Sequence, residues 1–274
     1  MLNLFRPARV RLPDGREVVC SSRHEALLVY DEVGHYVRHG MSLRPGDVVF
    51  DVGANIGLFS LWAHEACRRD CTILAFEPLP PVFAMADANL RALGDPRVRA
   101  LPFGLSSRAG RANFSFHPNA TFASTAFPDA GDLDVTRTLM ARSLDRLPPP
   151  LHLTRHLPAP LRRGVVDVLS RVVNVKETVD CELRTLSQVM RDEAIERVDF
   201  LKVDVEKSEL EVLRGIEEGD WARVRQAFVE VHDRDGRAAT VRELFERHGF
   251  RVVVEQDAFF EGTEIVGVSA MRDP

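Results

Sequence analysis

Four side chains that can move or bind a proton stand at the ends of two apolar runs in the second half of the chain. Phe200-Leu-Lys-Val-Asp-Val-Glu206 carries Asp204 and Glu206, and Val229-Glu-Val-His232 carries Glu230 and His232. If the runs are adjacent strands of an open α/β sheet, the four converge where such sheets bind ligands, beyond the carboxyl ends of the strands. His232 is the natural first choice of general base, because an unperturbed imidazole has a pKa of about 6.5. Asp204 or Glu230 would orient its ring and stabilise its charged form, with Glu206 as further support. Two other readings stay open. Asp204, Glu230 and His232 could ligate Mg²⁺, which would acidify a bound hydroxyl, or His232 could simply be a satisfied histidine at a strand end. Lys202, two residues before Asp204, needs an acidic partner if its strand is buried.

A second group lies near the start of the chain, in Asp51-Val-Gly-Ala-Asn-Ile-Gly57. Gly53 and Gly57 let a backbone approach a ligand closely. Ala54 and Asn55 lie in the turn between them, whose N–H groups open onto a helix start. A dinucleotide site would use Gly-x-Gly-x-x-Gly. This chain has Gly-x-x-x-Gly, with Asp51 two residues ahead. A carboxylate there would repel a pyrophosphate and suits a ligand carrying an ammonium and a sulfonium, which points to S-adenosylmethionine. Glu77, ending another apolar run before Pro78, can accept hydrogens from both ribose hydroxyls; NAD would use it equally. Tyr36 reads either as a residue reaching the cofactor or as a core aromatic.

The elements that must position these groups follow from periodicity. Residues 1–45 read as a leader: a hairpin of 9–12 and 17–20 about Pro13-Asp14-Gly15, then a helix over 23–38. From 46 to 274 strands and helices alternate. Strands are expected at 48–52, 72–76, 98–103, 177–183, 198–204 and 227–231, which argues for a mostly parallel sheet covered on both faces. The last two runs, 250–254 and 264–270, have no helix between them, so one must be antiparallel. The result is a Rossmann-like α/β domain with a seven-stranded sheet and a C-terminal antiparallel strand. Residues 118–175 break the rhythm with Pro128, Pro148-Pro149-Pro150, Pro158 and Pro160 and two amphipathic stretches, 133–147 and 161–173. This insertion reads equally as a lid or as an oligomer contact, such as that of a homodimer.

Bulk properties narrow the classes. With 36 Lys and Arg against 41 Asp and Glu, the net charge of -5 argues against nucleic-acid partners. No apolar run is long enough to span a membrane or to serve as a signal peptide, so no membrane partner and a cytoplasmic location are expected. The four cysteines lack zinc-ligand spacing and read as reduced, buried thiols.

With these pieces assembled, the sequence resembles the FkbM family of methyltransferases. The resemblance rests on Gly46-Asp-Val-Val-Phe-Asp-Val-Gly-Ala-Asn-Ile-Gly57, Phe76-Glu-Pro78, Phe200-Leu-Lys-Val-Asp-Val-Glu206 with Glu209, and Val229-Glu-Val-His232, and covers roughly residues 30 to 235. It implies a Rossmann-like methyltransferase fold, S-adenosylmethionine as cofactor, and O-methylation of a polyketide, peptide or sugar hydroxyl, free or tethered to a carrier. Where the family usually has glycine after its Asp-x-Glu pair, this chain has Lys207. N-methylation, an NAD(P) oxidoreductase and a non-catalytic cofactor-binding module are the rival expectations.

Overall fold

The computed structural model describes residues 6–121, 124–126, 136–138, 140–141, 144 and 151–272. Strands β1 (Ala8–Arg11) and β2 (Glu17–Cys20) pair as the expected hairpin, and helix α1 (Arg23–Glu32) follows, its first turn capped by the Ser22 hydroxyl. The main sheet is made of β3 (Asp47–Val52), β4 (Cys71–Phe76), β5 (Val98–Leu101), β9 (Phe200–Val203), β10 (Gln226–His232), β11 (Arg251–Glu255) and β12 (Ile265–Met271). Its order is β11-β12-β10-β9-β3-β4-β5. The pairs β9-β10, β3-β9, β3-β4 and β4-β5 are parallel, and β12 runs antiparallel to both of its neighbours. Helices cover both faces, which is why β3, β4 and β9 are apolar with little alternation. Two groups of buried side chains, one containing Val49 and Phe200 and the other Phe50 and Leu201, fill the layers on either side.

Helices α2 (Leu58–Ala66) and α3 (Pro80–Arg91) follow β3 and β4. The leader packs on the sheet: Leu12, Val18, Ala26, Val33 and Tyr36 share one cluster with Val49, Phe59 and Phe200. Asn89 ties these parts together. Its side-chain amide exchanges two hydrogen bonds with the Val19 backbone and donates a third to the Ile56 carbonyl.

One strand is not where the sequence places it. The run expected at 177–183 forms β8 (Glu177–Arg184), which lies outside the parallel sheet. It pairs with β6 (Gly104–Leu105) and antiparallel with β7 (Gly110–Phe116) in a separate three-stranded sheet. The physical reason is visible in β7: Ala112, Phe114 and Phe116 alternate with Arg111, Asn113 and Ser115, the pattern of a strand with one buried face, and β8 supplies its partner. Helix α4 (Ala159–Val173) carries the second amphipathic stretch of the insertion, burying Val166 beside Leu144. Most of the first stretch, 133–147, lies outside the described residues, as do Pro128 and Pro148 to Pro150. Further helices are α5 (Leu186–Asp192), α6 (Glu209–Arg214) and α7 (Arg237–Arg247). Among the described residues no helix is long and apolar enough to cross a membrane. All four cysteines are free and buried.

Candidate functional site

The order in which strands are added reverses between the parallel strands β3 and β9: β4 and β5 build outward on one side, β9 and β10 on the other. At such a reversal the loops leaving the two strands part and open a crevice. Here it is a cavity of about 340 Å³. Its floor is two turns pressed against each other. Gly53 has φ 77°, and a Cβ on it would lie 1.8 Å from the backbone oxygen of Asp204. Gly53 and Ala54 donate their N–H groups to the Phe76 carbonyl at 3.1 and 3.0 Å, so the turn is pinned on its other flank as well. The Asn55 and Leu79 N–H groups both donate to the Glu77 carboxylate, at 3.1 and 3.0 Å. Glu77 is buried in the cavity wall, and burial pushes its pKa up to about 7 despite those donors.

Asp51 does not face the cavity. It is fully buried behind the wall, accepting from the Ser60 hydroxyl at 2.7 Å and lying 3.2 Å from Lys202 Nζ. The parallel register sets Asp51 directly opposite Lys202, which explains the pairing. The carboxylate expected to meet the cofactor's cation therefore neutralises a lysine instead. Lys202 reaches the cavity: its ammonium donates to the Gly53 carbonyl at 2.8 Å, lies 3.4 Å from Asp204 and sits 5.3 Å from the Tyr36 ring centre. Burial alone would lower its pKa, but Asp51 and Asp204 outweigh that and hold it above the ordinary value. Gly57 also lies outside the cavity lining and opens α2 with φ 83°.

Tyr36, Gly53, Ala54, Asn55, Glu77, Pro78, Asp204, Glu206, Glu230 and His232 do line the cavity. The role expected of His232 needs correction. Its Nδ1 lies 3.0 Å from Glu209 and its Nε2 3.1 Å from Glu206, so each ring nitrogen faces a carboxylate. Burial would discharge the ring, yet Glu206 and Glu209 overcome it and push the pKa up to about 11. An imidazolium with both N–H groups engaged offers no lone pair to a substrate proton or a metal ion. Glu206 is itself raised by burial, with His232 partly offsetting the rise. Asp204 accepts from the Tyr36 hydroxyl at 3.2 Å. Glu230 differs from its neighbours: among the described residues no hydrogen bond reaches its carboxylate, and burial, then Asp204 and Glu206, hold its pKa well above the usual range.

Oxygens of Asp204, Glu206 and Glu230 lie within 4.8 Å of one another, close enough to share a cation. The donor set does not fit a resident metal ion. Asp204 already faces Lys202, which it shares with Asp51, Glu206 already faces His232, which it shares with Glu209, and the histidine named from the sequence is spent.

The comparisons with known proteins agree on what this frame is. A family model described as "Methyltransferase FkbM domain" matches residues 51–252, from the first turn of the site to the penultimate strand of the sheet. The chain belongs to the FkbM methyltransferase family. It is 40% identical over 270 residues to the 31-O-demethyl-FK506 methyltransferase FkbM of Streptomyces tacrolimicus, covering 96% of each. It is 37% identical over 283 residues to the AMB antimetabolite synthetase AmbE of Pseudomonas aeruginosa, covering 96% of this chain and 12% of that much longer protein. Among solved structures, a methyltransferase FkbM from Methylobacillus flagellatus superposes with a TM-score of 0.53 at 13% identity, over 88% of this chain and 47% of that one. That likeness shows the shared fold.

Tyr36 apart, the roof of this FkbM-type cavity comes from residues the sequence did not single out. Helix α1 and the turn after it present Glu25, Leu28, Val29, Glu32, Val33 and Tyr36, the spacing of one helical face. That spacing was a readable signal. The Thr121 hydroxyl lies within hydrogen-bond reach of Glu25 and, at 3.2 Å, of Asn55 Oδ1, joining roof to floor. No local pattern marks Thr121, and the motif that includes Glu209 gives it no partner; the fold brings them to side chains 23 to 96 positions distant.

Proposed function

We propose that this protein is an S-adenosylmethionine-dependent O-methyltransferase acting on a hydroxyl of a natural product, and that Glu230 accepts the hydroxyl proton. The observation that carries the reading is a half-buried carboxylate with no hydrogen bond from a described residue, beside two that face cationic partners, in a cavity at the reversal point of a methyltransferase sheet. The cavity volume falls in the range of small-molecule sites, about 300–1,000 Å³. Its excess of carboxylates suits a cationic donor and disfavours a dinucleotide phosphate. Glu77 would hold the ribose, and the turn at Gly53, Ala54 and Asn55, whose N–H groups are donated within the protein, would meet the ammonium of the amino-acid end with its carbonyl oxygens. When bound, the cofactor supplies an electrophilic methyl group on a sulfonium. The protein aligns the acceptor, keeps water out beneath α1, and takes the proton on Glu230 as the oxygen–methyl bond forms. Asp204 and Glu206, fixed by Lys202 and His232, hold the negative field in place. The relative named for 31-O-demethyl-FK506 supports oxygen as the target. The match to a segment of an antimetabolite synthetase supports a natural product as the acceptor.

Heat-unfolding protection by S-adenosylmethionine but not by NAD(P) tests the cofactor. An intact-mass screen for methyl gain on hydroxylated and aminated compounds, free and carrier-bound, tests the acceptor. Methyl gain confined to amines, or protection by NAD(P) alone, overturns the proposal. EDTA is expected to leave transfer intact, in keeping with the occupied carboxylates. Loss of turnover restored by Mg²⁺ would install a metal in their midst.

Glu77 gives a proton-linked test. Hydrogen bonds donated by ribose favour its charged form, so cofactor binding should drive off the proton that burial retains up to about pH 7. Affinity for S-adenosylhomocysteine is expected to fall by up to roughly tenfold per pH unit below that value and to level off above it. Calorimetry in buffers of different ionisation heat measures the released proton. A flat affinity between about pH 5 and pH 8 would remove Glu77 from the binding site.

A further inference from the structure

Beyond β9 the backbone passes through Glu206 at φ 49° and Lys207 at φ 75°, two consecutive left-handed residues that both carry side chains. Each is strained for a residue with a side chain unless something holds it. The retaining contacts converge on one buried carboxylate. Glu209, the first residue of α6, is fully buried. Its Oε1 accepts the Lys207 N–H at 2.7 Å and lies 3.0 Å from His232 Nδ1, while its Oε2 lies 3.5 Å from Arg237 Nη1. Arg237 also donates to the Lys207 carbonyl at 2.7 Å, and the Thr125 hydroxyl donates to the carbonyl of Glu206. The strained turn is thus gripped at the Glu206 carbonyl and at both the N–H and the carbonyl of Lys207.

We infer that Glu209, together with Arg237, is a positioning residue for the transfer reaction: it clasps the left-handed turn and, through His232, fixes where Glu206 presents its carboxylate. The inference rests on reading the cavity as the methyl-transfer site. Glu209 touches neither acceptor nor cofactor, because it lies behind His232 and outside the cavity lining. Its effect is on geometry. A displacement of about 1 Å at a reacting group can cost 10²-fold in rate.

Three variants test this. Glu209→Gln is expected to lower kcat by about 100-fold while KM and the Kd of S-adenosylhomocysteine shift by less than about threefold. Lys207→Gly, which accepts φ 75° without strain, is expected to raise Tm and, in the Glu209→Gln background, to restore roughly tenfold of the lost kcat. If Glu209→Gln does not fold, Arg237→Met carries the same expectation, since Arg237 is partly exposed and its removal releases the Lys207 carbonyl. The acceptor is the compound returned by the mass screen. Backbone amide exchange over residues 205–208, read by mass spectrometry, needs no acceptor and should quicken in Glu209→Gln and in Arg237→Met. Exchange unchanged in both variants overturns the clasp whatever the cavity does. Kd and kcat falling together, with no rescue by Lys207→Gly, also overturns it, by making Glu209 a support of cofactor binding. Quickened exchange in a protein that binds no S-adenosylhomocysteine upholds the clasp and fails the functional reading instead.

Discussion

Gly53→Ala is expected to abolish cofactor binding and to destabilise the protein by about 3 kcal/mol, the sum of a left-handed alanine and an overpacked contact. The contact is the decisive part. The added methyl would lie 1.8 Å from the Asp204 carbonyl oxygen and 2.8 Å from its carbon. Both are backbone atoms at the end of a central strand, so no side chain can swing away. Either the Gly53 turn lifts off Phe76, or the Asp204 turn is driven into the cavity, where it carries Asp204 and Glu206 with it. Both outcomes spoil the floor. Gly46→Ala is the control: φ is +86°, but nothing lies within 4 Å of its Cβ position, so only the backbone term of roughly 1–2 kcal/mol applies. Thermal unfolding should show Gly53→Ala several degrees below Gly46→Ala, and S-adenosylhomocysteine should protect only the latter. Equal Tm values would mean that the two turns are not in contact.

That contact was beyond the reach of the sequence, and it marks where sequence reading stops. The glycine spacing identified a turn made for close approach, but nothing local says that what approaches is the protein's own Asp204 carbonyl. The sheet was more legible. Buried apolar runs and the short connection between β11 and β12 fix strand type, and the missing helix fixes direction. β8 was misplaced because an apolar run looks the same in a central sheet and in a side sheet; the alternation over 110–116 that pairs with it went unread. Residue types at strand ends were enough to bring Asp204, Glu206, Glu230 and His232 to one cavity. Their division of labour was not legible. It depends on partners such as Glu209, whose buried carboxylate turns His232 from a candidate base into a fixed cation, and Lys202, which turns Asp51 inward.

Glu230→Gln should reduce methyl transfer by about 10²–10⁴-fold, the range for removing a general base, while making the protein more stable near and above neutral pH. Both effects come from one cause. Burial and the neighbouring Asp204 and Glu206 disfavour a negative charge on Glu230, so the folded protein binds its proton more tightly than the unfolded chain does. The sign follows: this group's contribution to stability is full below the ordinary glutamate pKa of about 4.3 and is lost as pH rises through its raised folded value. Glutamine keeps the shape and carries no charge, so the variant should lack that loss. Activity runs the opposite way, because the carboxylate must be ionised to take a proton. The wild-type rate should therefore climb with pH along a limb that lies above the ordinary carboxylate range. A sulfonium beside Glu230 lowers the cost of its charge, so the limb in kcat, which reports the loaded enzyme, should lie at lower pH than the limb in kcat/KM. A base at His232 would give a different result. With a pKa near 11 that ring would gain a free lone pair only in alkali, so the rate would still be climbing near pH 11, and Glu230→Gln would leave turnover within a few-fold of wild type. Rate profiles and unfolding curves of the two proteins across pH separate these cases, and a fully active Glu230→Gln would return the proton to another acceptor.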